Sequence, residues 1–188
     1  AIMTTDTHPK EWTRGVSIGG TTVTIGAMAK GVGMIAPNMA TMLCFITTDA
    51  VIEYPALKAA LKEAVDKSFN MITIDGCMST NDSVIIMANA LAKNKVIKRQ
   101  GPDFARFSDA LSEVCLNLAR MIILDAEGAT KFITIEVSGA MNNQQAKQAA
   151  LAVANSNLFK TAVYGDNRNF GRVLAAAGAS GAQIKENA

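Results

Sequence analysis

Residues 103–124 carry Phe104, Phe107, Leu111, Val114, Leu118, Met121 and Ile122 at spacings of mostly three and four, the mark of one long amphipathic helix. A helix of that length must lay its apolar stripe on something, and the usual partners are a sheet or other helices. The rest of the chain supplies both. Residues 21–29 (T-T-V-T-I-G-A-M-A) alternate in part and are rich in β-branched side chains, which favours a strand. Residues 42–48 (M-L-C-F-I-T-T) form a continuous apolar run that reads as a buried strand. Pro55 opens a second helix to about Phe69, with Leu57, Ala60, Leu61, Ala64 and Val65 on one face and Lys58, Lys62 and Asp66 on the other. Residues 71–74 and 131–137 read as strands, 83–91 fits a strand or a helix, and 143–154 and 169–177 read as helices. Strands and helices alternate without a linker or a repeat. The expectation is a layered α/β (α+β) domain.

Several function classes drop out. A formal net charge of +2 with no Lys/Arg cluster gives little support for nucleic-acid binding. No apolar run reaches 18 residues without a charge or turn residue, and the first ten residues have neither the basic start nor the apolar centre of a secretory signal. A single histidine, His8, excludes a multi-histidine metal site within the chain, and a Ser-His-Asp relay would depend wholly on it. Cys44, Cys77 and Cys115 are odd in number and widely spaced, as expected of reduced thiols in a cytoplasmic protein. Neither a dinucleotide nor a P-loop glycine fingerprint occurs, so no cofactor is expected.

What remains is a Ser, Thr or Cys nucleophile that works without histidine. A threonine at a chain N-terminus is one solution, because its own α-amine, with a reference pKa of about 7.7–8.0, accepts the hydroxyl proton near neutral pH. Such a terminus inside a polypeptide requires a cut backbone. In P-N-M-A-T-M-L (37–43), the Thr41 hydroxyl has the adjacent Ala40 carbonyl to attack, and Gly31, Gly33 and Pro37 permit a bent loop before it. The same threonine equally fits a β-branched residue opening a strand.

The segment K-G-V-G-M-I-A-P-N-M-A-T-M-L (30–43) resembles the self-cleavage region of the bifunctional ornithine acetyltransferase family of arginine biosynthesis. A-I-M-T-T-D-T-H-P-K (1–10), D-G-C-M-S-T-N-D (75–82), D-A-E-G-A-T-K (125–131), K-T-A-V-Y-G (160–165) and N-F-G-R-V (169–173) agree with it in order and spacing. The resemblance implies the layered fold of the ornithine acetyltransferase and DmpA-like N-terminal-nucleophile type. It also implies cleavage between Ala40 and Thr41, so that 1–40 end a first (alpha) chain and 41–188 begin a second (beta) chain, both within one structural domain. Thr41 is then the catalytic nucleophile and part of the substrate site. It takes the acetyl group of N2-acetyl-L-ornithine and passes it to L-glutamate, and some members also use acetyl-CoA as donor.

By the same resemblance Lys30 binds a substrate α-carboxylate, Thr7 contacts substrate through its hydroxyl, and Glu127 holds a substrate ammonium group. Each has a plainer reading as well: a solvated lysine at a strand end, one of several neighbouring threonines, a helix-end cap. Lys131 and Asp125 are expected to serve structure. The resemblance further implies a heterotetramer of two alpha and two beta chains in the cytoplasm, with no metal. It places the oxyanion-hole Thr-Gly upstream of Ala1 and further substrate contacts beyond Ala188, so the chain is expected to be a piece of something longer. Two loops depart from the common pattern: Cys77 and Met78 stand where Asp-Thr is frequent, and N-R-N-F-G-R (167–172) where D-P-N-W-G-R is common. A related amidohydrolase or aminopeptidase, or a non-catalytic metabolite-binding domain, is the alternative.

Overall fold

A computed structural model of the chain describes residues 2–36, 42–77 and 81–184. Two strands, β1 (Lys10–Ile18) and β2 (Thr21–Lys30), form a hairpin. Gly19 and Gly20 turn it with φ of 56° and 85°, a left-handed pair that side chains other than glycine rarely adopt. β3 (Leu43–Thr48) pairs antiparallel with β2, and β4 (Ser83–Ala88) pairs parallel with β3, giving a sheet in the order β1-β2-β3-β4. A parallel pair cannot be joined by a tight turn. The crossover here carries helix α1 (Tyr54–Lys67) and a short 3-10 turn at Phe69–Met71.

The core lies between one face of the sheet and two helices. Val23, Ile25, Cys44 and Ile46 are fully buried on that face. They meet α2 (Pro102–Leu124), which buries Phe107, Leu111, Val114, Leu118 and Ile122. α1 turns Ala56, Ala60 and Ala64 inward, and these small side chains let it lie close to α2. Each large side chain buried in this way stabilises the fold by roughly 1.5–3 kcal/mol before entropy is counted. Burial pushes the Cys115 thiol up to about 12, and Cys44 is raised as well, so both act as small apolar residues. The opposite face of the sheet carries a row Glu11, Met28, Phe45, Ile85 across the four strands, with Met28 and Ile85 exposed.

After α2 come α3 (Asn143–Ala154), α4 (Asn157–Tyr164) and α5 (Phe170–Gly178). Asn142, Ser156 and Asn169 cap their N-termini through side-chain oxygens, each accepting a backbone N–H. Among the described residues no helix is long and apolar enough to cross a membrane.

Two expected strands are not strands. Residues 131–137 have the alternation, but the described residues offer them no neighbouring strand to pair with, and Phe132 and Ile133 stay exposed. Of residues 71–74, Met71 ends the 3-10 turn and the three after it make one ladder-like bond, Ile74 N–H to the Ile35 carbonyl at 2.9 Å, too little for a strand. The ambiguous 83–91 segment resolves as strand at Ser83–Ala88. β1 and α4 were not anticipated: β1 is largely polar, with Trp12, Val16 and Ile18 as its inward apolar positions, and α4 has only eight residues.

Candidate active site

The segment before β1, the loop after β2 and the turn after α2 meet at one end of the sheet. A charged cluster joins them. The Lys10 ammonium donates to Asp6 Oδ1 and to Asp125 Oδ2, each at 2.6 Å, and the side chains of Asp6, Lys10 and Asp125 are 0%, 1% and 8% exposed. Asp6 Oδ1 also accepts the Gly31 N–H at 2.8 Å, which ties the end of β2 to the same cluster. Asp125 accepts both the hydroxyl proton and the backbone N–H of Thr7. Burial alone would raise both carboxyls. The hydrogen bonds from Lys10, with those from Thr7 to Asp125 and from Gly31 and Thr4 to Asp6, outweigh it, and both are held below the usual carboxylate range.

Three of the candidate substrate residues lie around this frame. Thr7 and Glu127 line one cleft of about 630 Å³ together with His8, Lys10, Val32 and Asp125. The Thr7 hydroxyl directs its proton to Asp125, so it can face a ligand only as an acceptor, and His8 Nδ1 already lies 2.6 Å from its oxygen. An acceptor there suits a ligand N–H or ammonium. Glu127 is anchored through its backbone N–H to the Val32 carbonyl at 2.9 Å. Its carboxylate and that of Asp75 converge over Gly33: a Cβ at that glycine would lie 3.6 Å from Glu127 Oε2 and 3.9 Å from Asp75 Oδ2. Asp75 in turn accepts the Met34 N–H at 2.7 Å, fixing the loop.

Lys30 closes β2, half-buried, with its ammonium 3.3 Å from Thr4 Oγ1. The strand register sets Lys30 opposite Leu43, two residues after Thr41 in the chain. Ala40 and Thr41 themselves lie outside the described residues, as does Met78. Met42, the residue bonded to Thr41, is described: its N–H donates to Asp82 Oδ1 at 3.1 Å and its carbonyl accepts the Ser83 N–H at 3.1 Å. Among the described residues no three His, Cys, Asp or Glu side chains come together as metal ligands.

Sequence reasoning missed Asp6, Lys10 and Asp82. The i, i+4 spacing of Asp6 and Lys10 was a signal for a pair, but not for the distant Asp125 that completes it. Asp125 was expected to be structural, and in the folded chain it joins the ends of two distant segments. Lys131 donates to the Val163 carbonyl at 2.7 Å and to Asp166, tying the turn after α2 to the end of α4.

The model of the ArgJ family matches residues 1–188. The chain is 57% identical over 184 residues to the "Arginine biosynthesis bifunctional protein ArgJ" of Symbiobacterium thermophilum, covering 98% of this chain and 46% of that protein. The protein of the same name from Bacillus subtilis is 53% identical over 98% of this chain and 45% of its own length. The chain thus spans about half the length of the curated relatives it matches. The crystal structure of an arginine biosynthesis bifunctional protein argJ from Bacillus halodurans superposes with a TM-score of 0.73 and 45% identity, over 76% of this chain and 67% of that one. The α/β architecture and the full-length match leave one assignment: the chain belongs to the ArgJ family.

Proposed function

We propose that this chain forms the central part of an acetyltransferase that moves an acetyl group from N2-acetyl-L-ornithine to L-glutamate, with Thr41 as nucleophile. The observation that supports the reading is the cleft that Thr7 and Glu127 line, with Lys30 at the end of β2 in register with Leu43 beside Met42, together with the family match. The Thr41 hydroxyl first attacks the Ala40 carbonyl. The acyl group moves from nitrogen to oxygen, and water hydrolyses that ester to leave a free amine on Thr41. In the transfer reaction that amine takes the hydroxyl proton as Oγ attacks the acetyl carbon, and gives it to the departing ornithine nitrogen. The acetyl ester on Thr41 then passes its acetyl group to the glutamate amine, whose proton returns through the Thr41 amine to the hydroxyl.

Lys30 supplies an ammonium for the α-carboxylate common to donor and acceptor. Glu127 supplies a carboxylate for a substrate ammonium, and Thr7 an acceptor for a ligand N–H. Acetyl-CoA as an alternative donor, two alpha and two beta chains per assembly, and a cytoplasmic setting belong to the same proposal. No cofactor is required, because the nucleophile carries its own base.

Intact-mass analysis of the full-length protein tests this directly. Two fragments parting at Ala40 and Thr41, with acetyl transfer to glutamate that vanishes in Thr41→Ala, are the expected result. Hydrolysis without transfer would instead assign an amidohydrolase. One uncut species that binds metabolites identically with and without Thr41 would assign a binding domain.

A further inference from the structure

His8 lines the same cleft as Thr7 and Glu127, yet no step of the proposed reaction uses it. Its Nδ1 lies 2.6 Å from Thr7 Oγ1 and 3.5 Å from Asp125 Oδ1. The threonine hydroxyl has one proton and gives it to Asp125. Asp125, paired with Lys10 and held below the usual carboxylate range, has no proton to return. A 2.6 Å contact between two lone pairs would be repulsive, so Nδ1 is the nitrogen that carries the hydrogen. In the neutral ring that leaves Nε2 with a lone pair and no hydrogen. The side chain is 81% exposed, so the ring is open to a ligand. The cleft therefore offers three acceptors: His8 Nε2, the Glu127 carboxylate and the remaining lone pair of Thr7 Oγ1. Its lining cation, Lys10, is already paired with Asp6 and Asp125. The complement of such a lining is a primary ammonium, which carries positive charge and several N–H donors.

We propose that His8 is a specificity-determining residue for the acetyl donor: its Nε2 accepts an N–H from the donor's side-chain ammonium, with Glu127 as that ammonium's second partner. The proposal rests on the acetyl-transfer reading and deepens it, because it tells the two substrates apart. The side chain of N2-acetyl-L-ornithine ends in an ammonium, whereas that of L-glutamate ends in a carboxylate with no N–H to give. His8 thus favours the donor and leaves the acceptor unassisted.

The test compares wild type, His8→Asn and His8→Phe in the full-length protein at about pH 8, where imidazoles are neutral. Two donors are used: N2-acetyl-L-ornithine, and N2-acetyl-L-norvaline, which has the same carbon chain without the ammonium. Asparagine can donate to Thr7 as Nδ1 does, but has no atom at the place of Nε2; phenylalanine keeps a ring and loses both nitrogens. In both variants kcat/KM for acetylornithine falls by roughly 3- to 10-fold, the size of one lost hydrogen bond, while acetylnorvaline and the KM for glutamate change by less than about twofold. An undiminished preference for acetylornithine in His8→Asn overturns the inference. So does an equal loss with both donors, which would assign His8 to holding Thr7 rather than to the ligand. If His8→Asn fails to fold, His8→Phe decides by the same ratio. A wild type that transfers acetyl from neither donor to glutamate removes the underlying reading; an active wild type whose donor preference survives in the variants removes only this one.

Discussion

Helices α2 and α5 make opposite use of apolar sequence. α2 buries nine residues against the sheet and α1, whereas α5, richer in apolar residues for its length, buries none. Phe170 and Leu174 of α5 are 76% and 71% exposed, while Leu111 and Leu118 of α2 are 0% exposed. Both segments form helices because their local sequences favour it. α2 packs on β1, β2 and α1, whereas among the described residues α5 touches α3 and α4 and fully buries no side chain there. Apolar content therefore reports a capacity for burial, and topology decides whether it is used. The two helices also differ in how they are tied down: α2 ends in the buried Asp6–Lys10–Asp125 cluster, and α5 is held by a cap and by Arg172, which donates to the Leu158 carbonyl at 2.7 Å.

Breaking the α2 anchor is expected to have the largest effect. Lys10→Ala leaves two buried carboxylates facing each other without a cation, at a cost of about 3–5 kcal/mol, read as a lowered midpoint in urea. Acid reaches the same cluster from the other side. Asp6 and Asp125 titrate lower in the folded chain than in the unfolded one, so their contribution is fully present above the unfolded value of about 4. It is lost as pH falls through the depressed folded values. Urea melts from pH 6 downward should therefore lose stability below about pH 4 in the wild type. A slope equal to that of Lys10→Ala would remove the cluster from the account.

Core truncation comes next. Leu111→Ala in α2 should cost about 2–5 kcal/mol through lost burial and the cavity it leaves. Asn169→Ala at the start of α5 should cost about 1 kcal/mol, because Asn169 Oδ1 accepts the Arg172 N–H at 3.2 Å and alanine leaves that donor to water. A cost at Asn169 equal to that at Leu111 would erase the distinction between the helices.

The same contrast explains what the sequence made legible. The three- and four-residue spacing of 103–124, the β-branched run of 21–29 and the apolar run of 42–48 each express burial that is local to one element, and each became that element. The alternation of 131–137 is equally clear, yet strand formation depends on a neighbour that periodicity cannot name. At the site, motif resemblance singled out Thr7, Lys30 and Glu127. The cluster that frames them was not legible, because Lys10 and Asp125 are 115 positions apart and nothing local links an ammonium to a carboxylate at that distance. Asp82 escaped for the same reason: it holds the Met42 N–H from 40 positions away.

The smallest expected effect sharpens the comparison most. Leu174→Ala removes an apolar side chain of the same kind as Leu111→Ala, from a helix with equally apolar character. Because Leu174 is 71% exposed, little area leaves water on folding, and no cavity forms when the side chain is shortened. The expected change for this 188-residue chain is within about 0.5 kcal/mol, and alanine's higher helix propensity offsets part of it. Urea midpoints of wild type, Leu111→Ala and Leu174→Ala in one series decide the matter. A loss at Leu174 approaching that at Leu111 would mean that the apolar face of α5 is covered in solution, and the two helices would then differ in their partners rather than in their burial.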